Sequence, residues 1–172
     1  MGDSTRSLDT AYSMAHYIQG VADGFTVYNS PNYQFQGSLK AGLAEGFGKE
    51  STPKQKFHGQ FSKGRFYGVG LAKYKGQAYY IGNWRDGKKE GFGEEINEKG
   101  DKYEGIWQNG TINGQVMIVY AFSSVGSNPS RDRSLDKGAV YVGMSLNGQH
   151  QGLGRLEASE GTYVGSWKEG LR

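Results

Sequence analysis

Three histidines, 17 carboxylates and 20 lysines and arginines are the side chains of this 172-residue sequence with the chemistry to move protons, hold a metal or attract an anion. His16, His58 and His150 stand far apart, and none lies in an HExxH or nucleophile-elbow context, so they read as packing or surface residues. The lack of cysteine excludes disulfides, thiolate zinc sites and a cysteine nucleophile. Gly-x-Gly pairs such as Gly68-Val69-Gly70 lack the third glycine and the following helical pattern of a dinucleotide or phosphate loop. Glu90-Gly91-Phe92-Gly93-Glu94 has acidic flanks where an RNA-binding strand needs a basic residue before the glycine and more aromatics after it. Asn109-Gly110-Thr111 has the form of a glycosylation sequon and reads better as a hairpin turn. The expectation is a chain with no catalytic residue, no cofactor, no metal site and no nucleic-acid partner.

Charge is unevenly spread. Residues 51–79 carry Lys54, Lys56, Lys63, Arg65, Lys73 and Lys75 with no acid, and residues 90–104 carry six acids against Lys99 and Lys102. The basic zone reads first as an ordinary solvated face, and otherwise as a contact for an acidic protein or for anionic phospholipid. Pleating sends about half of its cations to each face, which leaves roughly 3 kcal/mol toward a lipid surface. Even millimolar affinity corresponds to about 4 kcal/mol, so the zone alone docks weakly.

The elements that position these groups are announced by glycine. The chain holds 29 glycines, where a background near 7 per cent predicts about 12. They lie on a lattice. Tyr80-Ile81-Gly82-Asn83-Trp84 continues through Gly87, Gly91 and Gly93, and Tyr103-Glu104-Gly105-Ile106-Trp107 continues through Gly110 and Gly114. Lead aromatics fall at 35, 57, 80, 103, 141 and 163, with a degenerate unit from Ser13 to Tyr17. Strand alternation puts Tyr, Gly and Trp on one face and the variable residues on the other. Asp86-Gly87, Asn109-Gly110 and Asn147-Gly148 are type I′ hairpin turns, which need positive φ at both central residues. A single hairpin is marginal in water, whereas stacked hairpins bury one another's rings. The fold expected is all-β, an elongated single-layer antiparallel array of stacked hairpin repeats, with a segment 1–12 before it and an insertion at 115–138.

The pattern Tyr-x-Gly-x-Trp-x-x-Gly-x-x-x-Gly-x-Gly, repeated every 22 or 23 residues, resembles the MORN (membrane occupation and recognition nexus) repeat family. It covers 35–114 and 141–170 well and 13–28 weakly, with Leu39 and Ser145 at the Trp position and Thr26 and Val116 at the second Gly. The resemblance implies a twisted single-layer antiparallel array that acts as a non-catalytic binding or assembly module. Such modules occur in ciliary and cytoskeletal proteins, in junctional membrane proteins and attached to enzymes such as lipid kinases.

The aromatic stripe, Phe57, Phe61, Tyr80, Trp84, Tyr103, Trp107, Tyr163 and Trp167, has two readings. One is ring-on-ring packing within the array. The other is a partly uncovered groove that accepts a helix or extended segment of a protein partner. Val116 to Phe122 reads as a strand that needs cover, because an uncharged edge invites pairing with another chain. The following polar stretch, 123–137, reads as a loop. Leu8, Ala11, Tyr12, Ala15 and Ile18 have helical spacing, which predicts a short N-terminal cap helix and competes with the strand reading of Ser13 to Tyr17. The sequence ends at Arg172, halfway through a unit, so a partner or further chain is expected to complete that unit. No apolar run is long enough to span a bilayer and Met1 to Gly20 lacks the apolar core of a signal peptide. The expectation is an intracellular scaffold or adaptor, soluble or peripheral, cytoplasmic or ciliary by resemblance. Its partner is a protein, with homo-oligomers open. The alternative is a regulatory, anionic-phospholipid-binding N-terminal module of a longer enzyme such as a lipid kinase.

Overall fold

The computed structural model describes residues 12–18, 20–121 and 138–172. They form one 13-stranded sheet in which every strand pairs antiparallel with its sequence neighbour. The strands are β1 (Tyr12–Ile18), β2 (Val21–Ser30), β3 (Tyr33–Lys40), β4 (Leu43–Ser51), β5 (Lys56–Ser62), β6 (Arg65–Lys73) and β7 (Tyr79–Arg85). There follow β8 (Lys88–Ile96), β9 (Lys102–Gln108), β10 (Thr111–Val119), β11 (Val140–Leu146), β12 (Gln149–Ala158) and β13 (Gly161–Trp167). Tyr12, Ala15 and Ile18 lie on β1, so over these residues the strand reading replaces the cap helix. Leu8, Ala11 and the loop 123–137 lie outside the described residues. The apolar stretch after Val116 runs on in β10, which is paired on both sides, to β9 and to β11.

The array buries only one face, and the repeated residue types follow from how it does so. The glycines of successive strands pair across the sheet in one row, Gly37, Gly48, Gly59, Gly70, Gly82, Gly93 and Gly105, then Gly143, Gly154 and Gly165 beyond Val116. The lead rings Phe35, Phe57, Tyr80, Tyr141 and Tyr163 fold down onto this row. The Tyr80 hydroxyl donates to the Asn83 carbonyl at 3.0 Å, Tyr141 to that of Met144 at 2.8 Å, and Tyr163 to that of Ser166 at 3.0 Å. A Cβ on Gly82 would stand 2.6 Å from both the Tyr80 hydroxyl and the Gly93 Cα, so this position admits only glycine. Trp84 and Trp107 bond the same row through their indole N–H groups, to the carbonyls of Gly70 at 3.1 Å and Gly93 at 3.4 Å.

Rings then interlock between units. Phe57 meets Trp84 at 5.4 Å, Tyr80 meets Trp107 at 5.2 Å and Tyr141 meets Trp167 at 5.3 Å, all edge-on. Edge-to-face pairs of this kind contribute about 0.5–1.5 kcal/mol beyond burial. Between β9 and β11, where Ser145 takes the Trp position, Ile112, Val116, Ile118 and Tyr120 fill the core instead.

Among the described residues six tight turns share one left-handed form: Ala41-Gly42, Lys63-Gly64, Asp86-Gly87, Asn109-Gly110, Asn147-Gly148 and Glu169-Gly170. All have positive φ at both residues. Each turn glycine also donates its N–H to the preceding unit. Gly87 reaches the Phe66 carbonyl at 2.9 Å, Gly110 that of Lys89 at 2.9 Å and Gly170 that of His150 at 3.0 Å. Side chains repeat the stitch, with the Glu45 carboxylate accepting the Lys63 N–H and that of Glu90 the Asn109 N–H.

Candidate functional site

The stripe is spent on the core of the array itself. Phe57, Phe61, Tyr80, Trp84, Trp107 and Trp167 are buried, and Tyr103 and Tyr163 are half-buried against the same cluster. One slot of this face, beside the lead ring, is filled differently in each unit. Phe66 stacks on Phe57 at 3.8 Å and His150 stacks on Tyr141 at 3.7 Å, and the His150 Nε2 lies 2.7 Å from the Tyr120 hydroxyl. In the third case Lys89 sets its ammonium 5.0 Å from the Tyr80 ring and 4.6 Å from that of Trp107, paired with the Glu95 carboxylate. Burial and the Glu95 charge push Tyr74, at the edge of this pair, up to about 12. The carboxylate and the rings together offset the cost of burying an ammonium.

The opposite, outer face is uncovered. Phe25 is 61% exposed, Phe47 71% and Val69 58%, and the three form one wall of a groove. Gln36, Lys49, His58, Leu71 and Ile81 form the other wall, and the backbone of Gly37, Gly48, Gly59 and Gly70 lies between. The cavity has a volume of about 560 Å³ and crosses β2 to β7. Farther along the face Phe92 pairs across strands with Ile106, and Leu153 and Val164 are 74% and 72% exposed. Reading the sequence for buried rings missed this row. Its signal was present in the residue that follows the first glycine of each Gly-x-Gly or Gly-x-Thr/Val step, Phe25, Phe47, Val69, Phe92 and Leu153, which is apolar in all but one unit, where Gln115 stands.

The six basic residues singled out by composition do not form one patch. Lys56 and Lys73 face each other directly across β5 and β6 on the outer face. Lys54 and Lys75 line a separate polar hollow with Tyr74, Glu95 and Glu98. Lys63 sits in a hairpin turn, and Arg65 pairs with Asp86 at 3.7 Å at the exposed turn end. Two residues outside that set complete the cluster at the groove, Lys49 and His58, which pair across β4 and β5. Burial, with Lys49 and Lys73 nearby, pushes the His58 imidazole below its ordinary value. None of Lys49, Lys56 and Lys73 makes an ion pair among the described residues. Like charges directly opposite in a sheet are destabilising, so this cluster lacks a structural reason.

The acidic zone is absorbed by the fold. Asp101 is 4% exposed and its carboxylate accepts the Ala121 N–H at 2.8 Å. Glu90 holds a turn and Glu95 holds Lys89. Glu94 and Glu104 remain on the outer face, sharing Lys102 at 2.9 and 3.8 Å. The Tyr79 hydroxyl and Lys102 hold Glu94 below the usual carboxylate range.

Among the described residues no group of three or more His, Asp or Glu is placed to hold a metal, and no helix is long and apolar enough to cross a membrane. No curated protein matches the chain. The family model of the MORN repeat matches residues 35–55, 80–102, 103–115 and 163–172. Those segments hold the lead rings of β3, β7, β9 and β13, whose aromatics and glycine row explain the pattern in physical terms, and over them the chain carries MORN repeats.

Proposed function

We propose that the array is a non-catalytic scaffold that binds a protein partner within a larger assembly, and that it does so through the outer groove. One observation carries this reading: Phe25, Phe47 and Val69, each more than half exposed, stand in one row above a glycine floor. Contiguous apolar surface of this kind marks interaction sites on soluble proteins, and the rings first suspected of that role are occupied with one another.

A photo-reactive benzoylphenylalanine at Val69 or Phe47 is expected to cross-link one dominant protein in native extract at high salt, because apolar burial is not screened as exposed charge is. The same probe at the inner, half-buried Tyr103 is the control. Cross-links from Tyr103 alone would return the contact to the aromatic face, and none from any position would sink the scaffold reading.

A module recruited to anionic phospholipid is the second reading, favoured by Lys49, Lys56 and Lys73 standing together with no ion pair among the described residues. Its signature is sedimentation with phosphatidylserine vesicles that is lost in Lys56→Glu/Lys73→Glu.

A further inference from the structure

We infer that the outer groove over β2 to β7 takes an acidic amphipathic α-helix of the partner, lying across the strands, with its carboxylates against Lys49, Lys56, His58 and Lys73. The inference rests on the reading of the groove as a protein-binding surface and adds the kind of segment that fits.

Three observations select a helix. Within the groove each strand already pairs with a neighbour on both sides, so its in-plane N–H and C=O groups serve the ladder and leave none for an added strand. The occupant must therefore satisfy its own backbone, as a helix does. The groove also crosses five strand-to-strand steps from Phe25 to Ile81, which at about 4.8 Å each makes roughly 24 Å, the length of a helix of about 16 residues. Finally, the two walls stand two residues apart along each strand, as Phe47 and Lys49 do in β4. That gap is about 7 Å, which seats one stripe of helical side chains against a floor without side chains.

Charge then sets the flank. The wall that begins at Lys49 and His58 continues through Leu71 and Ile81 and reaches Glu94 and Glu104 in the same cross-strand row. Lys56 and Lys73 stand one step farther along their strands on the same side. A helix with carboxylates along this flank meets three lysine ammonium groups beside the His58 imidazole over β4 to β6 and is repelled at β8 and β9, so the acids belong to the part over β4 to β6 and the seat ends near β7. A membrane surface fits less well. It is flat while the apolar surface here is recessed between walls, and three lysines contribute only about 3 kcal/mol toward anionic lipid. A second copy of this chain offers no helix among its described residues.

The test uses the intact chain and three labelled 16-residue helical peptides with one shared leucine face and flanks of glutamate, glutamine or lysine. By fluorescence anisotropy at moderate salt, the glutamate peptide is expected to bind at least tenfold tighter than the lysine peptide, with glutamine between. The variant Lys49→Glu/Lys56→Glu/Lys73→Glu is expected to reverse that order, and Phe47→Ser to weaken all three. Trp84, Trp107 and Trp167 lie on the inner face, so their near-UV dichroism reports whether each variant keeps its fold. Equal affinities for the three peptides, or an order unchanged by the triple variant, overturn the acidic flank. Failure of all three to bind, with Val69 cross-links to a protein intact, overturns the helix and leaves the outer-face reading standing. Binding to phosphatidylserine vesicles alone replaces the helix with lipid.

Discussion

Gly82 shows most directly how one residue type is dictated. Its missing Cβ is the space in which the Tyr80 ring and the Gly93 backbone meet. Gly82→Val is expected to cost at least the ~1–3 kcal/mol of an overpacked core and to shift the near-UV dichroism of Tyr80 and Trp84. An unchanged thermal transition would contradict the folded-down ring. Glu50 makes the opposite kind of prediction. Burial raises its pKa even though the Tyr33 hydroxyl, 3.2 Å away, favours the carboxylate. A carboxyl whose folded pKa lies above its unfolded value stabilises the fold at low pH, and that contribution is lost as pH rises through the folded pKa. Glu50→Gln, which keeps the acceptor for Tyr33, should therefore raise the melting temperature at pH 7 and leave it nearly unchanged at pH 4. A gain of equal size at both values would show that ionisation is not the cause.

At the scale of the hairpin, the regular part was legible and the outer groove was not. Asp86-Gly87, Asn109-Gly110 and Asn147-Gly148 name their turns, yet Ala41-Gly42, Lys63-Gly64 and Glu169-Gly170 adopt the same left-handed pair without Asn or Asp. What holds them is the turn glycine's bond to the unit before, a long-range partner with no local signature. Replacing Ala41, at φ 50°, by Asn should relieve part of the left-handed strain. A gain of about 0.5 kcal/mol is expected, or about 1–2 °C in the thermal transition for a chain of this size. A loss would mean that the turn is not of the mirror-image type. The buried face was readable because ring and glycine recur at fixed spacing. The outer groove was not, because a groove depends on which residues meet across strands, and two-residue register shifts, such as that between Gly59 and Gln60, reset this pairing within units. The helical spacing of Tyr12, Ala15 and Ile18 misled for a related reason: what makes β1 a strand is its pairing with β2, a partner that spacing within the segment does not reveal.

Over the described residues, every strand pairs only with its sequence neighbours, and the ring contacts reach the next strand but one. Stability in such an array is a sum over adjacent interfaces. A lesion at Gly82 should therefore speed amide hydrogen exchange in β5 to β9 and leave β12 and β13 nearly as protected as before. Uniform acceleration along the chain would mean that the array unfolds as one unit. The net charge of +3 conceals the arrangement that matters, since the acids are largely engaged within the sheet while Lys49, Lys56 and Lys73 are not. Composition measures the balance, and only the register reveals which sign is left facing outward.

The glycine row has a metric consequence. Because it advances by two strands for every repeat, duplicating one internal hairpin would lengthen the floor by about 10 Å, the rise of six or seven helical residues. On the proposed reading of the groove, the chain is a caliper graded in hairpins. The number of its graduations, more than the identity of any one side chain, would set how long a rod it can measure.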